Sequence, residues 1–67
     1  MRTGERLKTL RLERGLTQQE LADMSYIDRS YVAQIETGRK EPRPEVRVLI
    51  AAALDVEEAE LTGAADT

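Results

Sequence analysis

The apolar residues of this chain fall into short clusters at helical spacing, each bounded by residues that start or stop helices. Leu7 and Leu10 share one face, with Thr3 as the N-cap candidate and Gly15 as the stop. Thr17-Gln18-Gln19-Glu20 has the spacing of a capping box, in which the Thr hydroxyl and the Glu carboxylate each take up a free backbone N–H. It opens a short helix whose apolar residues are Leu21, Ala22 and Met24. Ser25-Tyr26-Ile27 then interrupts, and Asp28 is the next N-cap candidate, ahead of a helix that turns Val32 and Ile35 inward and closes at Gly38. Residues 39–44 contain both prolines and no periodicity, which predicts a loop. A fourth helix is predicted over 45–54 and a short fifth over 57–61, ended by Gly63, with 64–67 as a flexible tail. No stretch alternates as a half-buried strand would, so the fold class is all-α, five helices in one domain over 1–63.

Composition narrows the chemistry. The 67 residues include no Cys and no His, which removes disulfides, thiol or imidazole catalysis and the usual ligands of zinc, iron or copper. A Ser-His-Asp site cannot be assembled. An enzyme would need paired carboxylates in a pocket, and Glu41/Glu45 and Glu57/Glu58 fall in predicted loops or on solvated faces. The expectation is no enzyme, no metal and no cofactor. The charged N-terminus is unlike a secretory signal, and the longest apolar run, 48–54, is far short of the ~20 residues that span a bilayer. A cytoplasmic protein without membrane contact is expected. Two tyrosines are the only aromatics, too few for a single-strand stacking platform.

The net charge of −3 speaks at first against a polyanionic partner, but it is unevenly placed. Residues 1–54 hold all ten bases and eight acids, whereas 55–67 hold five acids and no base. Arg39, Lys40, Arg43 and Arg47 lie within nine residues. A solvated loop is the plain reading of such a cluster, but it follows directly on the third helix. A two-turn helix, a three-residue break and a second helix over 17–37 form the geometry that sets one helix in the DNA major groove. Ala22 is small where two such helices cross closely, and Leu21, Ile27, Val32 and Ile35 are apolar where both must bury a face. Arg29, Ser30, Ala33, Gln34 and Thr37 then line the outward face, whose polar members can hydrogen-bond base edges.

Gly15-Leu16-Thr17-Gln18-Gln19-Glu20-Leu21-Ala22, Asp28-Arg29-Ser30-Tyr31-Val32 and Ile35-Glu36-Thr37-Gly38-Arg39 together resemble the Cro/phage-repressor (XRE-type) helix-turn-helix family, as do Pro42 and the Leu54-Asp55-Val56 step. The resemblance implies base readout by Arg29, Ser30, Tyr31 and Gln34. Arg29 is the candidate for guanine, pairing with O6 and N7 together, against the alternative of an ion pair with Asp28 or Glu36. Tyr31 reaches a phosphate or thymine methyl, or else packs at the helix edge. Gln18, Thr37, Arg39, Lys40 and Arg43 would hold the DNA backbone and fix register, with Gln18 alternatively bracing a recognition side chain. Arg11 and Glu36 match a buried structural ion pair of the family.

Three positions depart from the pattern. Tyr26 occupies the turn position where the family usually has Gly, and Pro44 and Arg47 replace usual core leucines. The run Ser25-Tyr26-Ile27-Asp28-Arg29-Ser30-Tyr31 is also similar to that of restriction–modification controller proteins, small dimers of the same fold. The fourth helix is apolar almost all the way round. With Val48, Ile50, Ala51 and Leu54 assigned to the core, Val46, Leu49 and Ala53 face outward and, with the fifth segment, are the candidate homodimer interface, against the alternative of scattered surface apolar residues. The leading expectation is a sequence-specific duplex-DNA-binding transcriptional regulator, repressor-like, acting as a homodimer on an inverted repeat, with RNA polymerase as a further candidate partner. The alternatives are a controller that activates and represses one operon, and an antitoxin or protein-interaction module of the same fold.

Overall fold

The computed structural model describes residues 3–63, which form five helices: α1 (Thr3–Glu13), α2 (Gln18–Ser25), α3 (Arg29–Glu36), α4 (Pro44–Leu54) and α5 (Glu58–Thr62). No strand occurs among the described residues. The tail expected at 64–67 lies outside them.

The helix starts follow local chemistry. At α2 the Thr17 hydroxyl accepts from the Glu20 amide at 3.0 Å and the Glu20 carboxylate accepts from the Thr17 amide at 2.8 Å, the reciprocal capping box read from the sequence. Asp28 has the extended backbone of an N-cap but its side chain makes no capping hydrogen bond. Thr3 is already helical rather than a cap. The fourth helix begins one residue before the predicted start, at Pro44, which suits a first helical position because its fixed φ matches and no N–H is needed there. At α5, Glu57 and Glu60 form a second capping box that the sequence reading did not anticipate.

The break between α2 and α3 is tighter than the sequence suggested. Ser25 is the last residue of α2 and fully buried. Tyr26 alone makes the reversal, in the left-handed region at φ 60°, ψ 38°. A non-glycine residue there carries strain. The 85% exposed ring obtains little burial in exchange. The turn is closed by the Ile27 amide donating to the Ala22 carbonyl at 3.0 Å.

Packing forms a circuit: α1 lies against α3 and α5, α2 against α3 and α4, and α4 against α5. Leu7, Leu21, Ala22, Val32, Ile35, Val46, Ile50, Leu54 and Leu61 meet in the centre. Met24 is exposed and takes no part. Gly4 is buried where α1 crosses the end of α3. A Cβ there would collide with the Ile35 carbonyl oxygen and lie 2.9 Å from that of Glu36, so the close crossing requires glycine.

The orientation of α4 corrects the sequence reading. Val46 is core, 7% exposed, and Ala53 is half-buried against the core, whereas Val48 is 53% exposed. The inward row is Val46, Ile50 and Leu54, at spacing four, with Ala51 beside it. Of the three residues expected to face outward only Leu49, at 37%, is exposed, and Val48 is exposed beside it.

Candidate nucleic-acid interface

Helix α3 packs through Val32 and Ile35 and leaves its other face outward. Arg29 and Ser30 at its first turn are exposed, and Gln34 one turn on is half-buried. The amphipathic spacing thus divides the helix between core and surface. Arg29 has no ion-pair or hydrogen-bond partner among the described residues, so the alternative of pairing with Asp28 or Glu36 is not what is seen. Its five donors face solvent, and a fork of that kind suits the two acceptors of guanine.

Two shallow hollows flank Gln34. Ser30, Tyr31, Gln34, Lys40 and Arg43 line the first, of about 360 Å³, together with the acids Asp28 and Glu41. The second, of about 230 Å³, is lined by Ala33, Gln34, Thr37 and Arg39. Through Gln34, which lines both, the two hollows bring Ser30, Ala33 and Thr37 beside the cations after α3, whereas Arg29 lines neither. Glu41, weighed in the sequence only as one of a carboxylate pair, sits between Lys40 and Arg43 and tempers the positive charge there.

Tyr31 is placed between the alternatives. Its ring is half-buried against the core. Its hydroxyl accepts from the Arg43 amide at 3.4 Å, and Lys40 Nζ stands 5.8 Å from the ring centroid, within cation–π range. It ties the loop to α3. Thr37 is exposed beyond the end of α3, its hydroxyl donating to the Gln34 carbonyl at 3.2 Å. Arg39, Lys40 and Arg43 are exposed.

Beneath this surface α1, α2 and α3 are locked by one polar cluster. Arg11 Nε donates to Glu36 Oε2 at 2.7 Å and Arg11 Nη2 to Oε1 at 3.1 Å, a two-point contact between side chains only 8% and 4% exposed. Arg11 Nη1 donates to the Leu16 carbonyl at 2.7 Å. Gln18 Nε2 donates to Glu36 Oε1 at 3.1 Å, so Gln18 braces the carboxylate at the end of α3. The hydrogen bond to Glu36 holds the Arg11 guanidinium above its ordinary pKa against the opposing effect of burial, and the carboxylate's charge adds to it. Helix α3 is thereby fixed in direction before any partner arrives.

Among the described residues, no three His, Cys, Asp or Glu side chains gather as a metal ion would require, and no helix is long and apolar enough to cross a membrane.

Comparison with known proteins agrees with this architecture. The family model described as helix-turn-helix matches residues 7–61. The immunity repressor protein of Bacillus phage phi105 is 38% identical over 63 residues, covering 94% of this chain and 44% of the repressor. The transcriptional regulator ClgR of Mycobacterium tuberculosis is 36% identical over 53 residues, covering 79% of this chain and 47% of the regulator. The chain thus spans a little under half the length of these relatives. Among solved structures, the restriction–modification controller protein C.AhdI from Aeromonas hydrophila superposes with a TM-score of 0.86 at 42% identity, over 88% of this chain and 89% of that one. The DNA-binding domain of the P22 c2 repressor superposes at 0.88 with 25% identity, over 94% and 84%. The chain belongs to the helix-turn-helix family, in its Cro/phage-repressor (XRE-type) branch.

Proposed function

We propose that residues 1–63 form the DNA-binding domain of a transcriptional regulator that reads duplex DNA with α3 and acts as a homodimer on an inverted repeat. The observation that carries this reading is the outward face of α3, where unpaired Arg29 and exposed Ser30 lead onto a hollow lined by Gln34, Lys40 and Arg43. Arg29, Ser30 and Gln34 supply base contacts, and Thr37, Arg39, Lys40 and Arg43 hold phosphates. Tyr31, with its hydroxyl engaged by the Arg43 amide, supports the phosphate contacts more directly than the bases. Gln18 acts from beneath through Glu36.

A second copy fits the exposed Val48 and Leu49 on α4. Two copies related by a two-fold axis would set their recognition helices about 34 Å apart, one turn of DNA. The regulator would act by occluding a promoter or by touching RNA polymerase. The near full-length match to C.AhdI favours, as a second reading, a controller protein that both activates and represses.

The test is selection of bound sequences from a random duplex pool, with the parent chain and with Arg29→Ala. The parent should yield an inverted repeat, and the variant should lose preference at one position per half-site, by about 1–3 kcal/mol. Recovery of no consensus by the parent would refute the reading. Unchanged preference in the variant would remove Arg29 from it.

A further inference from the structure

The segment between α3 and α4 carries all three cations assigned to phosphate, and groups outside it determine its path. At its start the amides of Arg39 and Lys40 both donate to the Gln34 carbonyl, at 2.9 and 3.2 Å. At its end two side chains hold it. The Tyr31 hydroxyl takes the Arg43 amide, and Arg47 Nη1 donates to the Pro42 carbonyl, each at 3.4 Å. Pro42 itself is buried, so the chain dips to the body of the domain there. Both bonds are long, near the limit at which a hydrogen bond still holds, and neither alone would fix the segment.

Arg47 is an unexpected residue for this place. It is half-buried on α4, and its Nε is shut off from solvent without a hydrogen-bond partner. An apolar side chain of similar reach would avoid that unmet donor and the desolvated charge, so stability alone does not favour arginine. What arginine adds is the bond to Pro42. We propose that Arg47 is a positioning residue for DNA binding. It holds the loop so that Arg39, Lys40 and Arg43 are ordered before they meet phosphates, without touching nucleic acid itself. Ordering in advance lowers the entropy lost on binding. The proposal rests on the duplex-binding reading above.

Arg47→Leu and Arg47→Lys test it with three measurements: thermal midpoint, amide exchange in the free protein, and duplex affinity across salt concentrations. In Arg47→Leu the midpoint should stay level or rise. The amides of Arg39, Lys40 and Arg43 should exchange about ten-fold faster while those of α1 to α3 keep their protection. Duplex affinity should fall about three- to ten-fold, with a shallower salt dependence, because fewer cations are held at phosphates. In Arg47→Lys, which keeps the charge, affinity and loop protection should be restored to the same degree. Loop protection unchanged in Arg47→Leu would overturn the proposal. So would full affinity in Arg47→Lys with the loop still unprotected, since Arg47 would then be a phosphate contact itself. A parent chain that binds no duplex would instead refute the functional reading, and the exchange comparison would still decide whether Arg47 clamps the loop.

Discussion

Removing one partner of the Arg11–Glu36 pair should come close to unfolding the domain, whereas removing both should not. In Arg11→Met the methionine covers much of the arginine stem but leaves the Glu36 carboxylate, 4% exposed, with Gln18 as its only remaining side-chain donor among the described residues. An unpaired buried charge costs about 3–5 kcal/mol. A chain of this length has a total stability of about 3–10 kcal/mol, at roughly 0.05–0.15 kcal/mol per residue. The single variant therefore loses a third or more of what holds it together. Its midpoint should fall by at least about 12 °C, given about 4–8 °C per kcal/mol for a domain this small. Glu36→Leu should cost a similar amount by stranding the guanidinium.

The double variant Arg11→Met/Glu36→Leu strands no charge. It loses the bond to the Leu16 carbonyl and frees the Gln18 amide, both groups only half-buried and within reach of water. Its expected cost is about 1–2 kcal/mol. Urea denaturation of the four proteins, followed by far-ultraviolet circular dichroism, closes the cycle. The coupling should exceed about 2 kcal/mol. A single variant within about 1 kcal/mol of the parent, or a double variant as unstable as the two singles combined, would refute the view that the pair is a desolvated unit. Its arginine should contribute no pH dependence in the working range. A group whose pKa is raised on folding gives stability that is complete below its unfolded pKa and lost only above the folded one, and for an arginine that window lies in strong alkali.

Three further outcomes follow from the packing. Gly4→Ala should destabilise by about 1–3 kcal/mol or more, because its methyl meets backbone carbonyls of α3 that cannot rotate away, and a thermal melt reads this directly. Tyr26→Gly should be neutral or stabilising by up to about 1 kcal/mol: relief of the left-handed strain exceeds the entropy glycine adds to the unfolded chain, and an exposed ring has little packing to lose. A loss above about 1 kcal/mol would mean that the ring has a partner on the surface. Val48→Asp/Leu49→Asp should convert a dimer at micromolar concentration into a monomer by sedimentation, with the monomer's helical content intact, since neither side chain belongs to the core. A parent that is already monomeric would count against the two-fold assembly.

What could be read from the chain depends on how far apart the interacting groups lie along it. The Thr17–Glu20 capping box spans three residues and its donors and acceptors are local, so spacing alone revealed it. The two faces of α3 were legible for a similar reason, because Val32 and Ile35 are apolar whereas Arg29, Ser30 and Gln34 on the other side are polar. Gly4 gave no signal, since its constraint comes from carbonyls more than thirty residues away. The Arg47–Pro42 and Tyr31–Arg43 contacts were hidden for a related reason: both depend on how the loop folds back. Arg11–Glu36 could be named only through the family resemblance. Helix α4 is the instructive failure. With apolar residues on nearly every side, the choice of buried face could not rest on contrast between apolar and polar positions. The spacing-four row of Val46, Ile50 and Leu54 was the available clue, and it points inward. The corrected orientation does not make the outward residues polar. It exchanges Val46 and Ala53 for Val48, beside Leu49, so α4 still presents apolar side chains to solvent after the core has taken its share. The same lack of contrast that obscured the inner face is therefore what supports an outer contact with a second copy.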